Sequence, residues 1–153
     1  DYMDKGKLGT REVVQVGIIV KDIEKTAAAY AKFFNVEIPE ISVTVPPAGK
    51  KMYYRGEEGT ATAKLAFFDV GTNLQIELIE PDEKPSTWRE HLDEKGEGVH
   101  HIAFFVNDME TIEDTLEKDQ IPVVQKGAYE GGKYAYLDAF EPLKVMIELL
   151  END

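Results

Sequence analysis

A short pattern of alternating apolar and acidic residues occurs twice in the chain and indicates an internal repeat. Ile76-Glu77-Leu78 lies in the first half and Ile147-Glu148-Leu149 lies near the end, and each is followed by an apolar residue and a glutamate. Upstream, one apolar run begins at Gln15 and another at His101, and each leads into the start of a helix. Two related halves are expected to fold as two copies of one structural unit, so this repeat restricts the fold class more than any other feature.

Both halves have the same predicted order of elements: strand, helix, strand, strand, strand. In the first half 13–20 alternates as a strand and Asp22 is a typical residue at a helix start, and 99–106 and Asp108 repeat this arrangement in the second half. The remaining strands are predicted at 36–45, 61–70 and 74–80, and at 121–125, 133–138 and 144–150. The sequence therefore predicts an α+β fold of two tandem βαβββ modules.

The length of the chain suits one compact domain. It has 153 residues, and we predict that 1–153 form a single domain. Module one covers about 11–80, a connector with a short helix covers 81–97, and module two covers about 98–151. The polar segment 55–59 is predicted to be a loop and the most mobile part of module one.

The composition excludes several kinds of partner and chemistry. The net charge is −13 and there is no cysteine. Nucleic acids and anionic membranes bind basic surfaces, so we expect neither as a partner. The absence of cysteine excludes disulfides, thiolate metal ligands and a thiol nucleophile. The apolar runs are too short to cross a membrane and no signal peptide is recognised, so we expect a cytoplasmic protein.

Four polar side chains lie at positions that the repeat makes equivalent, since Gln15 corresponds to His101 and Glu77 to Glu148. Side chains alternate between the faces of a strand, so all four are predicted on one sheet face that is otherwise largely apolar. Carboxylates on such a face are costly unless a cation neutralises them. We therefore predict one divalent metal ion with Gln15, Glu77, His101 and Glu148 as ligands. The alternative is that both glutamates are solvated on an open sheet.

The same alternation predicts the surroundings of this four-residue cluster. Gly17 and Ala103 follow on the same face and are expected to leave room for a substrate. His100 is expected to point to the opposite face, in a structural role. Trp88 is expected to anchor the connector helix in the core.

These segments together resemble the vicinal oxygen chelate superfamily of glyoxalases, epimerases, extradiol dioxygenases and bleomycin-resistance proteins. The resemblance is densest in 16–26, 74–81 and 96–108, and 96–104 is similar to methylmalonyl-CoA epimerases. It implies a glyoxalase-like fold, in which two βαβββ modules form a cupped mixed sheet around a divalent metal. The ligands in such proteins lie on the first and fourth strands of each module, which are here Gln15, Glu77, His101 and Glu148.

Two departures from the resemblance bear on the activity. Epimerases usually have His where this chain has Gln15, and the Gln/Glu/His/Glu set is similar to that of animal-type glyoxalase I. The segment 138–144 matches neither group, so the exact substrate is open. An extradiol dioxygenase is disfavoured, because it needs two His and one Glu on iron and Gln15 takes one His position. The oxygen-rich set favours Zn, Ni, Co, Mn or Mg.

The resemblance implies a metal-dependent epimerase, isomerase or lyase that transfers a proton next to a carbonyl. The metal would bind two neighbouring substrate oxygens and stabilise a metal-bound enediolate. Glu148 is the first candidate for the base and Glu77 the second. Lys64 is a lesser candidate, because some epimerases keep an acid on the same strand.

The partners implied are a small-molecule substrate and a second copy of the chain in a homodimer. The substrate is expected to be an acyl-CoA thioester or an aldehyde adduct. Candidate contacts to the phosphates of an acyl-CoA are Lys50, Lys51, Arg55 and Lys133. The alternative to catalysis is a non-catalytic small-molecule binding protein of the bleomycin-resistance type.

Overall fold

The computed structural model describes residues 5–153, within which ten strands form one mixed sheet. The strands are β1 (Gln15–Ile19), β2 (Ser42–Val43), β3 (Met52–Tyr54), β4 (Glu57–Gly59), β5 (Ala63–Asp69), β6 (Gln75–Pro81), β7 (Gly98–Phe105), β8 (Val123–Tyr129), β9 (Gly132–Ala139) and β10 (Val145–Asn152). The helices are α1 (Ile23–Phe34), α2 (Thr87–Lys95), α3 (Met109–Lys118) and α4 (Phe140–Leu143). The strand order across the sheet is β2-β5-β6-β1-β7-β10-β9-β8-β3-β4.

The two modules occupy corresponding halves of this sheet. β1 lies parallel to β6 in one half, and β7 lies parallel to β10 in the other. β1 and β7 pair antiparallel at the centre, so that Gly17 lies opposite His101 and Gln15 lies opposite Ala103. The first and last strands of each module are therefore the four central strands. The predicted α+β fold of two βαβββ modules is confirmed, and the residue limits of the modules and the connector stay a prediction.

Helix α1 begins and ends where the sequence predicts. The Asp22 carboxylate accepts a hydrogen bond from the backbone N–H of Lys25 at 3.1 Å, which satisfies a free donor of the first turn. Asn35 ends the helix in the left-handed conformation, with φ of 55°. The buried face of the helix and the strands beneath it form one apolar cluster, with Ile23, Ala27, Ala31, Ala66, Phe68 and Leu78 among its members.

The start of helix α3 depends on a contact that the sequence did not predict. The side chain of Asp108 makes no capping hydrogen bond to the helix backbone. The carboxylate of Glu151 on β10 instead accepts hydrogen bonds from the backbone N–H groups of Asp108 and Met109, at 2.7 and 3.3 Å. The helix start is thus fixed by a neighbouring strand rather than by a local cap.

Two predictions for the segment between α1 and β5 are wrong. Of the predicted strand 36–45, only Ser42–Val43 pairs with a neighbour. The predicted loop 55–59 belongs to a hairpin of β3 and β4, whose turn residues Arg55 and Gly56 have φ of 52° and 83°. β3 then crosses to module two and pairs with β8. Alternation within one segment cannot predict this pairing, because the partner strand lies far away in the chain.

The two faces of the sheet pack differently. Helices α1 and α3 cover one face, and the other face is concave and carries a cavity. Trp88 of α2 packs on the concave side in a cluster with Ile19, Ile79, Tyr136 and Met146. The short helix α4 is an additional element that the sequence did not predict. None of the helices within 5–153 is long and apolar enough to span a membrane.

Candidate functional site

The structure brings the four predicted side chains together on the concave face. His101 Nε2 lies 2.9 Å from Gln15 Oε1, 3.1 Å from Glu148 Oε1 and 3.5 Å from Glu77 Oε1. His101 is fully buried, and the other three are at most 8% exposed. The two glutamates therefore do not sit on an open, solvated sheet face, which was the alternative reading of the sequence.

The four side chains meet because strand register and side-chain alternation act together. On β1 and β6, Gln15 pairs with Gln75 and Gly17 with Glu77. On β7 and β10, Ala103 pairs with Glu148. Each ligand candidate thus lies on a central strand and points to the same face as its neighbours.

The side-chain amide of Gln15 lies between the two carboxylates and can turn either its oxygen or its nitrogen toward them. With its oxygen turned inward, Gln15 Oε1 lies 3.2 Å from both Glu77 Oε1 and Glu148 Oε1, and its nitrogen donates to Gln75 at 3.4 Å. Three oxygens at this distance repel one another unless a cation or a hydrogen lies between them. Turning the amide by half a rotation would let its nitrogen donate to both carboxylates. A cation between the oxygens would select the inward oxygen, whereas the inward nitrogen satisfies both carboxylates without a cation.

Within residues 5–153, no three His, Cys, Asp or Glu side chains have the spacing of a complete preformed metal site. His101 Nε2 and Gln15 Oε1 each lie 2.9 to 3.5 Å from the other three donor atoms. Donors that share one ion at about 2.1 Å lie about 3.0–3.4 Å from each other. Contacts of this size are also those of ordinary hydrogen bonds. The fit to a divalent cation therefore depends on the chemistry of the donor set, which combines two carboxylates with an amide oxygen and an imidazole.

The pKa values of the cluster follow from its burial. Burial and the charge of Glu148 raise the pKa of Glu77 to about 8, although His101 opposes this. Burial by itself lowers the pKa of His101, but the carboxylates of Glu148 and Glu77 outweigh it and the net shift is upward. Both shifts favour proton uptake, so a metal ion that binds here would compete with protons.

His100 supports His101 and does not point away from it as predicted. The pairing of β1 with β7 has a β-bulge between Gly17 and Ile18, which leaves His100 as the extra residue. His100 Nδ1 lies 2.9 Å from His101 Nδ1, and His100 Nε2 lies 3.1 Å from Thr87 Oγ1. If His101 donates from Nδ1, its Nε2 lone pair faces the cluster, which is the tautomer that a metal ligand requires.

Gly17 makes room for the imidazole of His101 rather than for a substrate. A Cβ at Gly17 would lie 2.0 Å from His101 Cε1 and 2.3 Å from His101 Nδ1. The ring is held by hydrogen bonds at both nitrogens, so it cannot move aside cheaply. The role predicted for Gly17 is therefore wrong, and the small side chain at this position is a requirement of the cluster itself.

A cavity of about 390 Å³ opens above the cluster, and Gln15, Glu77 and Glu148 form part of its lining. Much of its wall is aromatic or aliphatic, with Leu65, Phe67, Trp88, Phe105, Tyr134 and Tyr136 among the lining residues. Trp88 is a core anchor, as predicted, and also forms part of this wall.

Two tyrosines on β9 add polar groups to this wall. Trp88 Nε1 donates to Tyr136 Oη at 3.1 Å, and Gln125 Nε2 donates to Tyr134 Oη at 3.3 Å. Burial raises the pKa of Tyr134 to about 12 and that of Tyr136 well above its ordinary value. Both phenols therefore stay protonated.

The lesser candidate base, Lys64, lies outside the site. Its Nζ is 3.7 Å from Glu80, and its side chain is half exposed. Lys64 shares its sheet face with Ala66 and Phe68, which pack against α1 on the side opposite the cavity. Lys64 cannot reach a substrate in the cavity.

Comparison with known proteins gives a family match and a curated relative. Residues 14–136 match the family model of the Glyoxalase/Bleomycin resistance protein/Dioxygenase superfamily. YqjC, an uncharacterized protein of Bacillus subtilis (strain 168), is 32% identical over 90 residues, which are 57% of this chain and 64% of the relative. The match thus spans less than two thirds of that relative's length.

Several solved structures are similar in fold. A methylmalonyl-CoA epimerase from Mycobacterium tuberculosis has a TM-score of 0.61 and 22% identity, over 92% of this chain and 87% of that one. The hypothetical protein BH1468 from Bacillus halodurans C-125 has a TM-score of 0.62 and 21% identity, over 93% and 94%. A variant methylmalonyl-CoA epimerase from Streptomyces coelicolor, in complex with 2-nitronate-propionyl-CoA, has a TM-score of 0.60 and 20% identity, over 92% and 94%. At these identities the likeness establishes the fold alone.

Proposed function

The chain belongs to the Glyoxalase/Bleomycin resistance protein/Dioxygenase superfamily, and from this premise we propose that it is a metal-dependent epimerase, isomerase or lyase. The reaction would transfer a proton at a carbon next to a carbonyl group. The observation that carries the proposal is the convergence of two carboxylates, an imidazole and an amide beside a largely apolar cavity. Such a cluster lowers the stability of the fold unless it is neutralised, which argues for a functional role.

We propose that Gln15, Glu77, His101 and Glu148 hold one divalent ion, of Zn, Ni, Co, Mn or Mg. When bound, the ion supplies a Lewis acid that polarises the substrate carbonyl. The two carboxylates offset the charge of the ion, and the amide of Gln15 contributes an oxygen without adding charge. His100 holds the ring of His101 in place through the contact between their Nδ1 atoms.

Glu148 is the proposed base, and Glu77 is the second candidate. Both carboxylates line the cavity and can contact a substrate there. Glu148 would take a proton from the substrate carbon and give it back. Return to the neighbouring carbon gives isomerisation, and epimerisation needs a second acid on the opposite face of the same carbon, for which Glu77 is the candidate. The apolar wall would limit the access of water during this transfer.

The finer assignments follow from the resemblance. Acyl-CoA thioesters and aldehyde adducts are the two substrate classes to test. The similarity in fold to methylmalonyl-CoA epimerases supports the first of them. We also propose a homodimer in the cytoplasm, which sedimentation velocity and localisation of the tagged protein would check.

The test is exchange of substrate hydrogen with solvent. The full chain would be loaded separately with each of the five metals and incubated in D₂O with methylmalonyl-CoA and with hemithioacetals, and deuterium at the carbon next to the carbonyl would be measured by mass spectrometry. We expect metal-dependent exchange that Glu148→Gln abolishes. Glu117→Gln is a matched control, because Glu117 is exposed on α3 and outside the cavity.

The alternative function is non-catalytic binding in the same cavity. Its support is the cavity itself, which is large enough for a small ligand. Tight binding of a small molecule, with no exchange for any metal or substrate, would favour the binding protein and contradict the enzyme.

A further inference from the structure

The cavity wall provides no positive charge for an anionic substrate. None of the lysine and arginine residues within 5–153 lines the cavity, and its charged lining residues are Glu77, Glu130 and Glu148. An adjoining groove of about 680 Å³ shares Gln15 with the cavity, and its charged residues are all acidic. A substrate would therefore approach the cluster through acidic surroundings.

The basic residues that the sequence offered for acyl-CoA phosphates are engaged elsewhere or lie outside the cavity. Lys51 pairs with Glu58 at 3.3 Å, and Lys133 pairs with Glu151 at 3.5 Å. Arg55 Nη2 lies 2.8 Å from Glu90, and Lys50 is exposed and does not line the cavity.

The charge of the whole chain acts in the same direction. The net charge is −13, and a surface of one sign repels ligands of that sign and slows their association. A coenzyme A thioester carries several phosphate charges, and no lysine or arginine of residues 5–153 in the cavity wall offers these a cationic partner. The electrostatics thus oppose the binding of polyanionic substrates.

The wall is instead suited to a neutral molecule with an apolar body. Phe67, Trp88 and Phe105 offer aromatic surface to such a body. Tyr134 Oη and Tyr136 Oη each accept a hydrogen bond from a neighbour, and neither donates its own proton to a protein acceptor within the described chain. Two neutral O–H donors are thus available to uncharged substrate oxygens.

We infer that the substrate is a neutral α-hydroxyketone with an aromatic or branched aliphatic substituent. This inference rests on the proposed function, which requires two neighbouring oxygens and a hydrogen next to a carbonyl, and the cavity adds the requirements of neutrality and an apolar body. In the reaction the C–H bond of the hydroxyl-bearing carbon breaks and its proton passes to Glu148. A second acid, for which Glu77 is the candidate, gives a proton to the opposite face of the same carbon, and proton transfer from Glu148 to Glu77 through water restores the starting state, so that no oxidant or reductant is needed.

Binding can be measured separately from catalysis, because Trp88 is the single tryptophan of the chain and lies in the cavity wall. The metal-loaded full chain would be titrated with phenylacetylcarbinol, acetoin and methylmalonyl-CoA at about 0.15 M ionic strength, with Trp88 fluorescence as the readout. Exchange with D₂O would be measured on the same samples. We expect phenylacetylcarbinol to bind at least about tenfold more tightly than either of the other two ligands. Acetoin lacks the aromatic body, and methylmalonyl-CoA carries the phosphate charges.

A pair of matched variants tests the electrostatic part of the inference. Val45 lies at the cavity and is 74% exposed, whereas Val36 is 52% exposed and lies outside it. Val45→Lys should strengthen the binding of methylmalonyl-CoA, and Val36→Lys should leave it unchanged although it alters the net charge equally. Tyr134→Phe should weaken the binding of phenylacetylcarbinol, because it removes one neutral donor and keeps the ring.

The outcomes separate the substrate class from the reaction. If the unmodified protein binds methylmalonyl-CoA more tightly than phenylacetylcarbinol, the inference about the substrate class is overturned. Proton exchange on methylmalonyl-CoA in the same experiment would still support the proposed function. Binding of phenylacetylcarbinol without exchange on any ligand would support the neutral ligand class and count against the enzyme. Equal effects of Val45→Lys and Val36→Lys would contradict the electrostatic argument.

Discussion

The central strands β1 and β7 occupy equivalent places in the repeat but meet different steric requirements. Gln15 on β1 lies opposite Ala103, whereas His101 on β7 lies opposite Gly17. The broad imidazole occupies the space that a Cβ on Gly17 would need, with a distance of only 2.0 Å to Cε1. Equivalent backbone positions thus carry different small residues, because the ligand candidates that they face differ in shape.

A second difference lies behind the ligand candidates. His101 is supported by His100, which the bulge in β7 adds to the strand, and His100 in turn contacts Thr87 of α2. Among residues 5–153, the contact that Gln15 makes outside the cluster is a weaker one, to Gln75 at 3.4 Å. The repeat therefore reproduces the cluster residues in both modules, but each module holds its own residue in a different way.

The largest expected effect concerns the equivalent carboxylates. Glu148→Gln should reduce turnover roughly 10²–10⁴-fold, because an amide cannot take up the proton. It should retain part of the metal, since an amide oxygen still coordinates. Glu77→Gln should reduce turnover less. Turnover and metal content by mass spectrometry would test this, and full activity in Glu148→Gln would assign the base to Glu77 instead.

Removal of the metal should lower the melting temperature, because the two carboxylates then lack a cation. An ion present at about 100 times its Kd adds about 2.7 kcal/mol to the free energy of unfolding. The double variant Glu77→Gln with Glu148→Gln should be more stable than the metal-free parent. Calorimetry with and without a chelator checks both points, and an unchanged melting temperature for a preparation that contains metal would refute the prediction.

Gly17→Ala should lower the free energy of unfolding by about 1–3 kcal/mol and reduce metal content, since its Cβ displaces His101. Ala103→Gly, at the equivalent position, should cost only about 1 kcal/mol and leave metal content unchanged. Urea unfolding and metal analysis of both variants are the measurements. Similar losses of metal in the two would show that the steric difference between β1 and β7 is unimportant.

Gln15→His would place the same ring in both modules. We expect the new imidazole to clash with the Cβ of Ala103, which lies opposite position 15. The clash would resemble the one that a Cβ at position 17 would make with the ring of His101. Adding Ala103→Gly should relieve the strain, with a coupling energy of about 1 kcal/mol in a double-mutant cycle. Additive effects in the cycle would contradict this interpretation.

The smallest expected effect concerns the β3–β4 hairpin, which only module one contains. Glu90 accepts hydrogen bonds from Tyr54 Oη at 2.5 Å and from Arg55 Nη2 at 2.8 Å. Burial by itself raises the pKa of Glu90, but these two contacts outweigh burial and lower the pKa from its usual 4.5. A lowered pKa contributes stability that is present above 4.5 and is lost as the pH falls through the folded-state value. The exposed pair contributes at most about 1 kcal/mol. Glu90→Gln should flatten the acid limb of the unfolding free energy, and an unchanged limb would argue against the contact.

Much of the candidate site could be predicted because its residues obey a local rule. The period-two alternation of a strand decides which face a side chain occupies, and the repeat identifies the strands that become central. Gln15, Glu77, His101 and Glu148 could therefore be predicted to share one face. Their role as metal ligands stays a prediction.

His100 and the hairpin could not be predicted, because both depend on pairing between distant segments. The bulge in β7 adds one residue to the strand, and this turns the side chain of His100 toward the face opposite to the one that alternation predicts. No local sequence pattern marks the position of the bulge. Similarly, the residues of β3 become a strand because β8 is there to pair with them. In both cases the physical cause lies in another part of the chain.

By itself, the sequence determined the βαβββ repeat and the face on which the four polar residues lie, since periodicity and repetition are properties of the chain alone. The tertiary structure decided how closely these side chains approach, which histidine supports His101, and that no lysine or arginine of residues 5–153 lines the cavity. These properties depend on distances between strands that are remote in sequence, and such distances are fixed only when the whole sheet has formed.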